Sequence, residues 1–272
     1  QRSLPKWRLY AFLNSLRNFS GSGKAGEVVL FVDTFNNYYE PENARAALSV
    51  LDRAGYAVHI ARAADGGRPL CCGRMFLNAG MVDKAKLEAE RVIEALRPYV
   101  ERGLSIVGLE PSCMLGLRDE FKSMLPGART DALAERAMLF EEFLAREQEA
   151  GRLALKLTPL PGKRALLHGH CHQKAFDALD VTRRVLSWVP GLAVDVIESS
   201  CCGMAGAFGY DARHYDVSMA MAEAALLPAV RASAADTVVV ADGTSCRHQI
   251  RDGAAREAWH VARVLAAALP GE

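Results

Sequence analysis

The sequence has almost no charge imbalance: 33 lysines and arginines face 32 aspartates and glutamates, a formal net charge of +1. A chain with so little field of its own carries no electrostatic footprint for nucleic acid or an anionic surface, and no nucleic-acid partner is expected. It has no apolar run near the ~18 residues that span a bilayer, so no transmembrane segment is expected. The first thirty residues do not read as a secretory signal. No Ser-His-Asp spacing stands out, and glycine-rich Gly203–Gly209 lacks both the Walker pattern and the dinucleotide fingerprint. Half of the 272 residues are nonetheless apolar, enough for one large core or two smaller ones. Cysteines number seven, an odd count, and gather in motifs where a disulfide framework would spread them. That pattern fits reduced thiols or metal ligands in a reducing compartment. The expected location is cytoplasmic, at most peripheral at the inner face of the membrane.

What is present is a repeated motif. Cys71-Cys72-Gly73 and Cys201-Cys202-Gly203 are each followed some forty residues later by a lone cysteine, Cys113 in Pro-Ser-Cys and Cys246 in Thr-Ser-Cys. Adjacent side chains of an extended strand point to opposite faces, so two neighbouring sulfurs reach one centre only where the backbone turns. Glycine directly after the pair supplies the freedom for that turn. The same arrangement twice points to a duplicated metal or redox site.

The order of elements repeats as well. Residues 1–26 read as an arm, with an amphipathic piece from Trp7 to Phe19 and a break at Ser20-Gly21-Ser22-Gly23. Residues 27–157 form a first half-domain and 158–272 a second, joined across the proline-rich stretch Thr158–Lys163. Strands are expected at Val28–Val32, Ala57–Ala61 and Leu104–Leu109, with helices over 41–54, 84–100 and 131–149. In the second half, strands are expected at Arg164–Leu167, Leu192–Ile197 and Thr237–Ala241. Helices are expected there over 174–188 and 212–226, with Pro228 in the first turn of the next. Each half thus reads strand, helix, strand, Cys-Cys-Gly, helix, strand, Cys. The fold class is α/β, two pseudo-repeated Rossmann-like halves with mainly parallel sheets. Sites in such sheets gather beyond the carboxyl ends of the strands, where all seven cysteines fall.

The halves differ in donors. The second offers Cys171, Cys201, Cys202 and Cys246, a set suited to tetrahedral zinc or to an iron–sulfur cluster. The first offers Cys71, Cys72 and Cys113, with Asp33-Thr34-Phe35 where the second has Cys171; Asp33 and Glu110 are the candidate fourth ligands there, each equally a loop hydrogen-bonder. His168, His170 and His172 alternate along what reads as a strand end, sharing one face with Cys171 on the other. His170 and His172 are the candidate proton-active or catalytic residues, or mixed-site ligands. Lys174, Arg213, Arg247 and His248 lie within a few residues of the second set and are candidates to tune it.

Five strings carry a resemblance: Asp33 to Pro41, Glu110 to Cys113, His168 to Lys174, Cys201 to Gly209, and Gly243 to Arg247. Paired Cys-Cys-Gly modules resemble those of the heterodisulfide reductase B subunit, the glycolate oxidase iron–sulfur subunit and the anaerobic glycerol-3-phosphate dehydrogenase C subunit. The longer strings resemble the C-terminal part of FAD- and iron–sulfur-containing D-2-hydroxyacid dehydrogenases of the D-lactate or D-2-hydroxyglutarate type. The resemblance implies a [4Fe–4S]-type cluster on Cys171, Cys201, Cys202 and Cys246, with FAD and a ferredoxin-like segment on an upstream part of a longer chain. Electrons would pass from FAD through iron–sulfur centres to an acceptor such as a quinone or a carrier protein, and this piece alone would not turn over substrate. The family pattern often closes with Cys-x-x-Cys, whereas here Arg247, His248 and Gln249 follow Cys246. Two other readings stand beside it: a zinc-binding structural or interaction module, and a thiol–disulfide site pairing Cys113 with Cys71 or Cys72.

Overall fold

A computed structural model of the chain describes residues 2–16 and 21–271. The chain divides into two compact units, Trp7–Leu155, and Gln1–Lys6 together with Lys156–Glu272. Each is built on one four-stranded sheet in which every pairing is parallel. In the first unit β1 (Gly26–Phe31), β2 (Tyr56–Ile60), β3 (Ile106–Gly108) and β4 (Ala137–Leu139) lie in the order β2-β1-β3-β4. In the second, β5 (Arg164–Leu167), β6 (Ala193–Val196), β7 (Val238–Val240) and β8 (Ala258–Trp259) lie in the order β6-β5-β7-β8. One topology occurs twice, as the expected α/β pseudo-repeat requires.

Sequence chemistry explains the elements. The run Val28-Val29-Leu30-Phe31 is buried throughout, as a central parallel strand covered on both faces must be. The Pro41–Arg53 helix opens on a first-turn proline and is closed by Gly55 at φ +87°. The Val82–Glu101 helix buries Ala85, Ala89, Val92, Ile93 and Leu96 on one face, the expected stripe. Pro228 sits in the first turn of the Leu226–Ala232 helix.

Three expectations are corrected. The helix expected over 131–149 is two helices, Ala128–Arg136 and Phe140–Glu149, with β4 between them. Its Ala-Met-Leu residues favour helix, but pairing with β3 in register Ile106 to Ala137 extends them. Residues 174–188 are likewise split: a one-turn helix, Cys171–Ala175, is followed by Leu179–Leu186, with Asp177 between them at φ +54°. β8 is not among the expected strands and has only two residues. Of the amphipathic piece from Trp7 to Phe19, Phe12–Ser15 is helical with Phe12 fully buried, while residues 17–20 lie outside the described residues.

In the order 2-1-3-4 the connections leave the first strand in opposite directions, so a crevice opens between the first and third strands at their carboxyl ends. Cys171 follows β5 and Cys246 follows β7, the two strands flanking that crevice in the second unit. Cys202 and Cys246 are part of that unit's apolar core, among Ile197, Met204, Val230, Val239 and Ile250.

Candidate metal centre

In the second unit the chain leaves β5 at His168, whose amide donates to Val240 O at 2.8 Å and extends the ladder by one bond. At His170 the backbone turns into the Cys171–Ala175 helix. His170 is its cap: Nδ1 accepts from the His172 amide at 3.1 Å, and its own amide donates to Gln173 Oε1 at 3.0 Å. The expected alternation of three histidines on one strand face is therefore replaced by a corner. The His170 and His172 rings stack 5.3 Å apart, and both Nδ1 atoms lie 3.9 Å from Cys171 Sγ. Cys171 does not face away from them.

A buried carboxylate ties this corner to the third cysteine-bearing loop. Asp242, just past β7, accepts from Gln173 Nε2 at 2.9 Å and from the Val261 amide at 2.9 Å. Gln173 also donates to Thr182 Oγ1 at 3.1 Å. A Cβ on Gly243 would lie 2.3 Å from His170 Cδ2, so glycine lets the imidazole lie flat against the start of the Thr244–Ala254 helix. Cys246 is the third residue of that helix, where an amide-rich first turn favours a thiolate.

The second triplet follows β6. Lys174 Nζ donates to Ser199 O and, at 3.0 Å, to Ser200 O, holding the loop just before it. Gly203 stands at φ +85°, and a Cβ there would lie 2.2 Å from Ser218 O. Only glycine fits this turn, which leaves the Gly203 amide 3.3 Å from Cys201 Sγ as a donor. From the far end of the chain, Arg2 clamps the stretch that follows: Nε donates to Gly209 O at 2.6 Å, Nη2 to Ser218 Oγ at 2.8 Å, and Nη1 to Gln249 Oε1. No signal within the sequence marks Arg2 for this part.

The four thiols run from exposed Cys171 through half-buried Cys201 to buried Cys202 and Cys246. Their protons are shared along that line. Cys201 is held far below the ordinary thiol range by its bonds with Cys171 and Cys202, with help from the Gly203 amide. Cys246 is held well below it by Cys202 and then by His168. Cys171 is pushed up by Cys201, and Cys202 by Cys201 and Cys246. Crowded sulfurs cannot all ionise without a cation among them, and a metal would displace the remaining protons. Two tight donor groups occur among the described residues: His168, Cys202 and Cys246, and His170, Cys171 and His172, each with its donor atoms within 4.8 Å of one another. Four thiols placed this way suit a tetrahedral zinc or an iron–sulfur cluster.

Of the other residues expected to tune the centre, Arg247 donates to Ala241 O and Asp242 O at 2.9 and 2.7 Å, bracing the β7 exit. His248 Nδ1 meets Tyr210 OH at 2.5 Å. Arg213 is exposed and pairs with Asp211 at 2.6 Å, so it faces solvent.

The first unit repeats the frame with other chemistry. Thr34, first residue of the Thr34–Tyr38 helix, stands where Cys171 stands and hydrogen-bonds Cys71. Cys72 Sγ lies 2.9 Å from Cys113 Sγ. All three thiols are raised. Cys71 is pushed up by Cys72 and burial, and Cys72 by Cys113. Cys113 is lowered by Cys72, but burial and the neighbouring Asp33 and Glu110 outweigh this and push it up to about 12. Asp33 caps its helix, accepting from the Phe35 and Asn36 amides at 2.9 and 3.1 Å and from Asn36 Nδ2 at 2.6 Å. Glu110 accepts from Ser112 Oγ at 2.7 Å. Both carboxylates act as loop hydrogen-bonders.

Comparison with known proteins agrees with this duplicated frame. A family model described as a cysteine-rich domain, CCG, matches residues 31–118 and 166–251. The chain is 29% identical over 272 residues to the anaerobic glycerol-3-phosphate dehydrogenase C subunit of Escherichia coli (strain K12), covering 99% of this chain and 66% of that protein. It is 26% identical over 271 residues to D-2-hydroxyglutarate dehydrogenase of Pseudomonas putida, covering 97% of this chain but 25% of the relative. Over 256 residues it is 25% identical to lactate utilization protein A 2 of Bacillus cereus (strain AH820), covering 89% and 99%. The chain therefore spans just under two thirds of the first of these relatives and a quarter of the second. With both matched segments enclosing a Cys-Cys-Gly triplet, the chain belongs to the CCG cysteine-rich domain family.

Proposed function

We propose that this chain is the iron–sulfur electron-transfer part of an oxidoreductase, with its working centre in the second half on Cys171, Cys201, Cys202 and Cys246. The observation that supports the reading is the line of four thiols at the β5/β7 crevice, running from exposed Cys171 to buried Cys202 and Cys246, in a chain similar to dehydrogenase parts. A [4Fe–4S]-type cluster, when bound, takes up and releases single electrons. The chain's own residues do the rest. Cys202 and Cys246 keep water from one side. The Gly203 amide neutralises part of the charge on Cys201. Lys174 fixes the loop before the triplet. Cys171, with His172 beside it, forms the exposed edge where donor and acceptor dock and where a proton can follow the electron.

The parent reaction we propose is oxidation of a small hydroxy compound, a D-2-hydroxyacid. Two of the three relatives are named for 2-hydroxyglutarate or lactate; glycerol-3-phosphate, named for the first, is also a hydroxy compound. Hydride removal belongs to FAD on another part of the enzyme, relayed by a ferredoxin-like segment, and a quinone or carrier protein takes the electrons. No helix among the described residues is long and apolar enough to cross a membrane; contact with the membrane would be peripheral, at the cytoplasmic side. The half-domain boundary we propose lies at 157/158.

The test is purification without oxygen, followed by iron, sulfide and zinc analysis and a visible spectrum. Iron and sulfide with broad absorption that bleaches with dithionite are expected. Stoichiometric zinc without sulfide and without bleaching would favour the structural zinc module and end the electron-transfer reading.

A further inference from the structure

We propose that His168 is a nitrogen ligand of the second-half centre, binding metal through Nε2 beside Cys202 and Cys246. The proposal rests on the iron–sulfur reading above and raises its protein donors from four to five, one more than a four-iron cluster takes at one ligand per iron. His168 is fully buried, and its Nε2 has no hydrogen-bond partner. Its ligand atom, with the sulfurs of Cys202 and Cys246, forms a group within 4.8 Å.

His168 Nδ1 and Ser199 Oγ lie 2.9 Å apart, so one ring nitrogen already has an oxygen partner. Nε2 is sealed from water and the ring lies beside two cysteines. Metal-binding histidines have this arrangement: the distal nitrogen donates to an oxygen, orienting the ring and making the other nitrogen a better ligand. A purely structural buried histidine would use both nitrogens. His170, by contrast, already spends Nδ1 as a helix cap. In the first unit the residue after the corresponding strand is Val32, so the donor is absent from the half that also lacks a fourth thiol.

The chain, labelled with [15N]histidine and purified without oxygen, is first assayed for iron and sulfide, then reduced with dithionite and examined by pulsed electron paramagnetic resonance. A directly bonded 15N coupling is expected. It should vanish in His168→Asn and persist in His170→Asn and His172→Asn. Because His168→Asn could fail to fold, His168→Cys serves as a second variant. It should keep its iron, lose the coupling and show a lower midpoint potential, since thiolate replaces neutral imidazole. A loaded cluster without a strongly coupled histidine nitrogen overturns the His168 assignment alone, as does a coupling that survives either His168 substitution. A wild-type chain holding no iron and sulfide overturns the electron-transfer reading and the assignment with it.

Discussion

Replacing Gly203 by alanine tests whether the turn that presents the second triplet needs glycine. Two further glycines make the comparison quantitative. Gly191 has φ +75° with nothing within 4 Å of a built Cβ, so Gly191→Ala meets only backbone strain. Left-handed backbone costs a non-glycine residue about 1–2 kcal/mol, partly offset by about 0.4–1 kcal/mol from a stiffer unfolded chain. Gly73 has the same φ, +75°, but its Cβ would meet Ala85 O at 3.0 Å, so the neighbouring helix must give slightly, for about 2 kcal/mol in all. Gly203 is the severe case. Its Cβ would stand 2.2 Å from Ser218 O and 3.0 Å from Ser218 C, both backbone of the Tyr215–Glu223 helix. That helix must move by roughly 1 Å, or the triplet must; about 3–4 kcal/mol is the expected cost. With a urea slope of about 2 kcal/mol/M, the Gly203→Ala midpoint should fall by roughly 1.5–2 M and the Gly191→Ala midpoint by no more than about 0.8 M. Urea unfolding followed by circular dichroism, under one set of metal conditions, gives the ranking. Equal midpoints for Gly203→Ala and Gly191→Ala would show that the turn relaxes freely, and the steric argument would be wrong.

Other outcomes follow from the same contacts. Cys201→Ser and Cys246→Ser should each lose the second-half iron, while Cys71→Ser keeps it; full iron in both of the first two variants would refute the ligand set. Asp242→Asn puts an NH2 in place of one oxygen that accepts from Gln173 or Val261, leaving a buried mismatch worth about 1–3 kcal/mol, read as a lower unfolding midpoint with the Cys171 corner loosened. Glu147, ringed by Arg152, Tyr56 and Arg146, is held down to about 2, first by Arg152. A carboxylate depressed on folding stabilises fully above its unfolded pKa and loses that contribution as pH falls through the folded one. Wild type should therefore lose about 2–3 kcal/mol between roughly pH 5 and pH 2 that Glu147→Gln does not, a ceiling lowered by the half-exposed arginines. Parallel acid unfolding curves for the two proteins would remove Glu147 from that account.

Much of the frame is legible in the sequence because its signals are local. Buried runs such as Val28–Phe31, a first-turn proline at Pro41 and glycine behind each cysteine pair mark strand, helix and turn. β4 and β8 are not legible in this way. With three and two residues they have no period of their own, and Ala137-Met138-Leu139 continues the apolar spacing of the flanking helices. The cysteine clusters are visible from spacing alone. The corner at His170 is not, because an alternating His-x-His pattern looks like strand, and what turns it into a cap is the distant Asp242–Gln173 bond. His168 shows the same limit. Its type and place could be read, but only the structure shows that Nδ1 faces Ser199 while Nε2 is buried without a partner. Arg2, more than two hundred residues from the loop it clamps, leaves no trace in local pattern.

The contrast between the halves is one of donors and charge, with the backbone frame held constant. Sheet order is the same, the lone cysteine is the third residue of the helix after the third strand in both, and a left-handed glycine follows each pair. The first half has one residue fewer between strand and helix; Thr34 opens the helix that Cys171 opens in the second half, and Val32 follows the strand where His168 does. Removing a thiol and an imidazole while adding the buried carboxylates Asp33 and Glu110 turns the local field against thiolates, and all three first-half thiols rise. Without a cation beside them, this environment favours the neutral thiols. The first-half triplet keeps the turn of its twin and packs it against Ala85, whose O would lie 3.0 Å from a Cβ on Gly73.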